Sequence, residues 1–179
     1  MTGEAGHSAS DRAAAPLREF AVAVYGAEGV SEACLALQDE HGQDVNVVLF
    51  AAWAGAELGR RLGAEDVARA RGHVAEWRDA VVAPLRAVRR AMKRLSSPPP
   101  GHEELRSAVK AVELQSELLQ LAMLDGFAQT LGAPAPPGPE LAEANLRAVV
   151  AGSPESASAA VSVIVAACRG RADASGAGS

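Results

Sequence analysis

Hydrophobic residues recur three and four positions apart along most of this chain, and no segment alternates regularly between apolar and polar residues. The first pattern is typical of helices that bury one face, whereas strict alternation would indicate strands. The composition agrees, since 49% of the 179 residues are hydrophobic but only 3% are aromatic, so the core has to be built mainly from Ala, Val and Leu. The sequence therefore predicts an all-α fold, a bundle of about five main helices.

Five segments carry this helical pattern, at residues 16–25, 29–41, 45–57, 64–95 and 102–129. The third is apolar on almost every side, as expected of a helix buried at the centre of a bundle. Gly42 is expected to end the second helix in a left-handed conformation. Asp44 is expected to cap the third helix by accepting hydrogen bonds from backbone N–H groups.

The fourth segment contains Pro84, which has no backbone N–H and cannot bond the carbonyl of Ala80. An apolar seam nevertheless keeps its phase on both sides of the proline: Val67, Ala70, Val74, Trp77, Val81, Leu85, Val88, Met92 and Leu95. We therefore predict one helix that is kinked at Pro84, in preference to two helices that meet at Asp79.

The fifth segment follows a stiff, proline-rich connector at residues 96–101. It carries a second apolar seam: Leu105, Val109, Val112, Leu119 and Met123. We expect the fourth and fifth helices to form a long antiparallel pair across the connector. Glu113 and Glu117, four residues apart on one face, would then lie opposite the basic residues of the fourth helix.

Charge is distributed unevenly along the chain. Residues 60–94 contain ten basic and four acidic residues, a net charge of +6, whereas the whole chain carries −5 and the remainder therefore −11. Pairing of these arginines with Glu113 and Glu117 within the chain is the favoured interpretation. A basic surface that binds an acidic partner is the alternative. The scarcity of aromatic residues and of lysine makes nucleic acid an unlikely partner.

Domain organisation follows from the same patterns. Residues 14–132 are expected to form the helical bundle domain and residues 133–169 to form variable short helices, whose packing on the bundle is left open. The small and polar segments 1–13 and 170–179 are expected to be disordered tails. A chain trimmed to residues 16–129 is therefore expected to remain a cooperative domain.

Polar residues beside the apolar seams form a candidate patch: Gln38, Asp39, Asp44, Asn46, Arg78, Arg86 and Arg89. A metal could take ligands from Asp39, His41 and Asp44, but their spacing matches no known metal loop. A capped turn is therefore the favoured interpretation of this junction. The amide of Asn46 is expected to bond a backbone carbonyl, with a ligand contact as the alternative.

The sequence offers no recognisable catalytic arrangement. It contains no Ser/His/Asp pattern, glycine-rich phosphate loop or CxxC motif, so we assign no catalytic residue, cofactor or metal. Trp53 and Trp77 lie on apolar seams and are expected to pack in the core. Cys34 and Cys168 share no metal or redox spacing and are expected to be buried free thiols.

A cytoplasmic location is expected. The first residues include Glu4 and Asp11 and show no apolar segment of the kind found in secretory signals. The longest apolar run, at residues 45–56, is shorter than the roughly 20 residues that a membrane-spanning helix requires. We therefore expect no membrane association.

Two ordered motifs resemble a proteobacterial family of short proteins of unknown function. The first comprises Phe20, Tyr25, Val30, Cys34, Leu35, Leu37, Gln38, Asp39, Gly42, Asp44, Val45, Asn46, Leu49, Phe50 and Trp53. The second comprises Trp77, Arg78, Val82, Pro84, Leu85, Arg86, Arg89 and Lys93. The resemblance covers roughly residues 20–124, with Val47 and Val48 replacing expected leucines. It implies no activity, cofactor or partner.

The favoured function is therefore a protein-interaction or regulatory module with one or more protein partners, and self-association into a homo-oligomer is left open. A first alternative is a small helical ligand-binding protein or enzyme that uses the junction at residues 38–46 together with Arg78 and Arg86. A second alternative is a nucleic-acid binder that uses the basic helix at residues 78–94.

Overall fold

The computed structural model describes residues 16–176, which form helices and connecting turns without a strand. The helices are α1 (Leu17–Tyr25), α2 (Val30–Asp39), α3 (Val45–Ala56), α4 (Ala64–Trp77), α5 (Ala83–Lys93), α6 (His102–Ala128), α7 (Pro139–Val149) and α8 (Ser156–Gly176). A π-helical turn, Arg78–Val82, joins α4 to α5. The all-α prediction is confirmed, and the described residues form seven helices when α4, the π turn and α5 are counted as one. The predicted tail at residues 1–13 lies outside the described residues.

Helix α3 is the centre of the bundle, as predicted. Its residues 46–55 are all buried. Asp44 caps it, because the backbone N–H of Asn46 donates to the Asp44 carboxylate at 2.9 Å. Gly42 has a φ of +63°, the left-handed conformation in which glycine commonly terminates a helix. The capped-turn interpretation of this junction is therefore confirmed.

Helices α7 and α8 complete the core, which corrects the expectation that the bundle ends at residue 132. Helix α7 packs along α3, and α8 packs against both α2 and α7. Leu146 and Ile164 are fully buried in the same hydrophobic cluster as α3. The predicted tail that begins at residue 170 is also wrong in part, because α8 continues to Gly176. The sequence patterns of these two helices are short and rich in alanine, which concealed their contribution.

Asn145 of α7 fixes the end of α3 and the loop after it. This fully buried amide accepts from the backbone N–H of Leu62 at 2.8 Å. It donates to the carbonyl oxygens of Ala51 at 3.1 Å and Arg60 at 2.8 Å. Three backbone groups that would otherwise be buried without partners are thereby satisfied.

The π turn changes the face that α5 presents to the bundle. In this turn the N–H of Ala83 donates to the carbonyl of Arg78, five residues earlier, so the turn accommodates one residue more than an α turn. Each side chain after the turn therefore lies about 100° around the helix axis from the position it would have if α4 continued as a regular α-helix. Val82 is buried, whereas Val88 and Leu95 are exposed. The prediction of one continuous helix is correct. Beyond the π turn, however, the predicted apolar seam no longer faces the core.

Helices α5 and α6 form the predicted pair, and the buried face of α6 is partly polar. Its buried residues include Glu113, Ser116 and Gln120. Three residues of its predicted apolar seam, in contrast, are exposed: Leu105, Val112 and Leu119. The seam prediction is therefore wrong for these three positions. Glu113 rather than this seam faces α5, where it meets Arg86 and Arg89.

Candidate functional site

Arg86 links three helices through hydrogen bonds. Its guanidinium donates to the Gln38 side chain on α2 at 2.6 Å and to the Glu113 carboxylate on α6 at 3.2 Å. It also donates to the Glu117 carboxylate, one turn further along α6. Planar guanidinium groups suit such multiple contacts because their donors diverge in fixed directions. Arg86 therefore holds α2, α5 and α6 in one arrangement.

Arg89 pairs with Glu113 through both carboxylate oxygens. One of these contacts, from a terminal guanidinium nitrogen, measures 3.1 Å, and the second is made by Nε. The Glu113 side chain retains only 6% of its accessible surface. The predicted pairing of arginines with Glu113 and Glu117 inside the chain is therefore confirmed for Arg86 and Arg89.

The two carboxylates respond to this environment in opposite directions. Burial disfavours ionisation of Glu113, but the hydrogen bonds and charges of Arg89 and Arg86 outweigh it, and the pKa of Glu113 is lowered. Burial raises the pKa of Glu117, and the single cation in contact with it, Arg86, does not compensate. The negative charge of Glu113 raises the pKa of Glu117 further. Glu117 is therefore the group in this network that takes up a proton more readily than an ordinary glutamate.

A half-enclosed groove of about 560 Å³ lies over this network. Helices α1, α2, α3, α5 and α6 all contribute to its lining. Four large hydrophobic side chains along it are exposed, between 38% and 63%: Val22, Tyr25, Leu35 and Leu114. The groove therefore combines apolar walls with a polar floor, the composition expected of a binding site.

Positive charge predominates in the groove. Its lining includes four cations, Arg86, Arg89, Arg90 and Lys110, but only two carboxylates, those of Glu113 and Glu117. At the rim Arg90 donates to Asp39 at 2.7 Å, a contact exposed to solvent. Lys110 makes no salt bridge within residues 16–176. A segment that carries a negative charge would therefore find Lys110 available.

Comparison with known families assigns residues 16–124 to the family described as Protein of unknown function (DUF2390). The chain belongs to this family. No curated protein and no solved structure matches the chain. The DUF2390 region contains every residue that lines the groove. It excludes α7 and α8, although both fill the core beneath it.

The structure brings together most of the predicted patch. Gln38, Asn46, Arg86 and Arg89 line the groove of the DUF2390 region. Asn46 donates to the carbonyl oxygen of Glu117 at 3.3 Å, so the predicted bond to a backbone carbonyl is confirmed.

Three patch residues lie outside the lining. Asp39 binds Arg90 at the rim. Asp44 lies beneath the groove, where it caps α3 and accepts a hydrogen bond of 2.6 Å from Gln120. Arg78 does not join the network and pairs instead with its neighbour Asp79 at 2.8 Å. Four of the seven patch residues therefore line the groove, and Asp39 and Asp44 lie next to it with hydrogen bonds to neighbouring side chains.

Sequence reasoning missed the apolar walls and Lys110. Val22, Leu35 and Leu114 do not lie on the buried faces of their helices. Large hydrophobic residues at such positions are the signal that could have identified the groove walls. Lys110 lies one turn before Glu113 and Leu114 on α6, but its availability depends on which carboxylates reach it. Only the folded arrangement shows that.

Residues 16–176 contain neither a metal-binding cluster nor a single membrane-spanning helix. No group of three or more His, Cys, Asp or Glu side chains in this range could hold a metal ion. Within the same range, no single helix has the length and hydropathy needed to cross a membrane. Helices α1 and α2 meet those criteria only as a pair, bent by 101°.

Proposed function

We propose that the protein is a protein-interaction module whose groove binds an amphipathic helical segment of a partner. The observation that carries the proposal is the set of four exposed hydrophobic side chains gathered in one concave surface: Val22, Tyr25, Leu35 and Leu114. Exposed apolar side chains that cluster in this way are typical of binding surfaces. A groove between helices is a common receptor for the apolar face of an amphipathic helix.

The charges of the groove define the partner more closely. Four cations stand against two carboxylates in the lining, so the groove carries a net positive charge. An acidic residue beside the apolar face of the bound helix would pair with Lys110 and reduce the net positive charge of the groove. The expected partner segment is therefore amphipathic and acidic.

Nucleic acid is not the partner that we propose. Arg86 and Arg89 bind carboxylates of α6, Arg90 binds Asp39, and Arg78 binds Asp79. Guanidinium groups that already bind carboxylates contribute less to phosphate binding, because each carboxylate contact would first have to be broken. We also propose that the protein works in the cytoplasm, because Cys34 and Cys168 are both free thiols, as is usual in a reducing compartment.

A small amphipathic carboxylate is the second candidate ligand. The groove volume of about 560 Å³ falls within the range of small-molecule sites, about 300–1,000 Å³. Native mass spectrometry of the protein purified from its host separates the candidates. A small-molecule mass adduct that disappears with Leu114→Glu favours the carboxylate, whereas a peptide or protein adduct favours the interaction module.

The test of the interaction module compares two leucines of α6. Leu114 lies in the groove with 55% exposure, and Leu105 lies outside it with 59% exposure. Leu114→Glu and Leu105→Glu therefore introduce the same charge at equal exposure on one helix. Tagged proteins are purified from the native host after crosslinking, and bound proteins are quantified by mass spectrometry.

We expect Leu114→Glu to lose a partner that Leu105→Glu retains. A synthetic helix from that partner should then bind the wild type in solution and bind Leu114→Glu at least roughly tenfold more weakly. Identical partners for wild type and Leu114→Glu would contradict the proposal.

A further inference from the structure

Five of the nine large hydrophobic residues that are exposed within residues 16–176 do not line the groove. They lie on the hairpin of α5 and α6, each 49% to 59% exposed, and form what we name the back face: Val88, Leu95, Leu105, Val112 and Leu119. The other four are the groove walls. The hairpin therefore separates two apolar surfaces.

Helical geometry places four of the five residues on one side of the hairpin. Leu105, Val112 and Leu119 are seven residues apart and form a seam along α6, Val88 is the member on α5, and Leu95 follows the end of α5 at Lys93. The contact between Arg89 and Glu113 fixes the register of the two helices. Val88 and Val112 each precede one of these contacting residues, and a step of one residue turns about 100° around a helix. In an antiparallel pair both steps lead to the same side, opposite the groove.

The back face carries no charge over most of its length, and Arg18 and Asp125 lie beside its end at Leu119. Four other residues lie on this side of the two helices, and all of them are exposed: Pro84, Ala91, Ala108 and Gln115. Within α5 and residues 105–123 of α6, the Asp, Glu, Lys and Arg residues lie on other sides of the helices. An uncharged apolar face can meet a copy of itself around a twofold axis without like charges coming together.

The size of the back face also fits a second copy. Its five half-exposed aliphatic side chains and the intervening alanines expose roughly 600 Å² in each chain, close to the ~800 Å² per partner of a standard interface. The seven-residue repeat of α6 is the spacing with which helices pack in a four-helix bundle, and Val88 of α5 lies on the same side.

We propose that two copies of the chain associate through their back faces, with the α5 and α6 hairpins of both copies forming a four-helix bundle. The inward-facing Glu113, Ser116 and Gln120 find their hydrogen-bond partners within their own chain. The back faces are buried between the two chains. The two grooves then open away from each other, so the dimer offers two equivalent binding surfaces. This proposal is independent of what the groove binds.

Analytical ultracentrifugation of the full chain tests the dimer over a range of concentrations. The wild type should sediment with twice the chain mass of 18.3 kDa. Val112→Glu, at the middle of the back face, should raise the dimer dissociation constant at least roughly 100-fold, because two buried carboxylates would oppose each other. Leu114→Glu, in the groove, is the matched control and should remain dimeric.

A monomeric wild type at about 100 μM, well above the Kd of an ordinary stable interface, would overturn the proposal. A Val112→Glu variant that remains dimeric would overturn it as well. Circular dichroism establishes that each variant is folded, and Leu105→Glu provides a second back-face variant if Val112→Glu fails to fold. Loss of a groove partner in Leu114→Glu with the dimer intact would concern the groove alone, so failures of the two proposals are distinguishable.

Discussion

Gly55 of α3 lies directly against the backbone of Ala142 in α7. A Cβ atom built on Gly55 would stand 2.4 Å from the backbone nitrogen of Ala142, closer than two such atoms can approach. The backbone N–H of Gly138 also donates to the carbonyl of Gly55 at 3.1 Å. The absence of a side chain at Gly55 is therefore what allows α7 to pack along the central helix.

Gly55→Ala is expected to lower the free energy of unfolding by about 3 kcal/mol or more, because α7 has to move away from α3. Gly72→Ala is the control, since a Cβ on this exposed helical glycine meets no atom within 4 Å. It should be neutral or stabilising by about 0.5–1 kcal/mol, the usual gain from replacing glycine in a helix. Urea unfolding of the two variants measures both, and equal midpoints would contradict the close packing of α7.

A chain that ends at residue 132 should not fold cooperatively. Removing α7 and α8 exposes the face of α3 that they cover and leaves the backbone of Arg60 and Leu62 without Asn145. We expect strong binding of a hydrophobic dye and no sharp thermal transition by circular dichroism. A chain that ends at residue 172 keeps the ion pair between Arg171 and Glu57 and should melt close to the full chain. A cooperative transition in the shorter chain would restore the domain boundary expected from the sequence.

Glu113→Gln should destabilise the protein at neutral pH by about 2–4 kcal/mol, because it leaves Arg89 without its carboxylate and Arg86 with Glu117 alone. The lowered pKa of Glu113 means that its contribution is present above the ordinary glutamate pKa of about 4.3 and is lost as the pH falls through the lowered value. Thermal melts from pH 3 to pH 8 should therefore show the wild type and the variant converging only in acid.

Glu117→Gln should have the opposite pH dependence. The raised pKa of Glu117 favours the folded state below the ordinary glutamate pKa, and this advantage is lost as the pH rises through the raised value. The neutral amide does not suffer this loss, so the stability of Glu117→Gln relative to wild type should increase from pH 4 to pH 8. A relative stability that falls over this range would show that the bond to Arg86 outweighs the burial of Glu117.

Both cysteines should resist thiol reagents in the folded protein. Burial raises the pKa of Cys34 and of Cys168 to about 12, so the reactive thiolate is scarce at pH 8. Ellman's reagent should label two thiols at once in guanidinium chloride. In native buffer it should label them only at the rate of unfolding. Rapid labelling of one thiol in native buffer would show that its helix opens locally.

Local signals predicted the fold well where they are strong. The Gly42 turn, the Asp44 cap and the buried α3 follow from residues within one or two turns of each other. The pairing of Arg86 and Arg89 with Glu113 follows from charge and from the antiparallel connection across residues 96–101. These features required no knowledge of distant contacts.

Other features depend on contacts that the sequence does not reveal. The contribution of α7 to the core depends on Gly55, whose significance is visible only when Ala142 lies against it. The groove walls come from α1, α2 and α6, and no pattern within one helix shows that Val22, Leu35 and Leu114 converge. The exposure of Val88 and Val112 depends on the phase of α5, which periodicity predicted wrongly because it assumed an uninterrupted α-helix.

The number of residues in the π turn determines the direction in which the side chains of Arg86 and Arg89 point. If residues 78–82 adopted a regular α-helix at their present length, α5 would rotate by about 100° and both guanidinium groups would leave Glu113. Deletion of one residue in this segment, such as the exposed Ala80, would instead remove the extra residue and leave every later side chain on its present face. A homologous sequence with a one-residue gap at 78–82 should therefore keep both the groove and the back face, whereas the same gap within α5 would rotate the residues after it by about 100° and move them out of both surfaces.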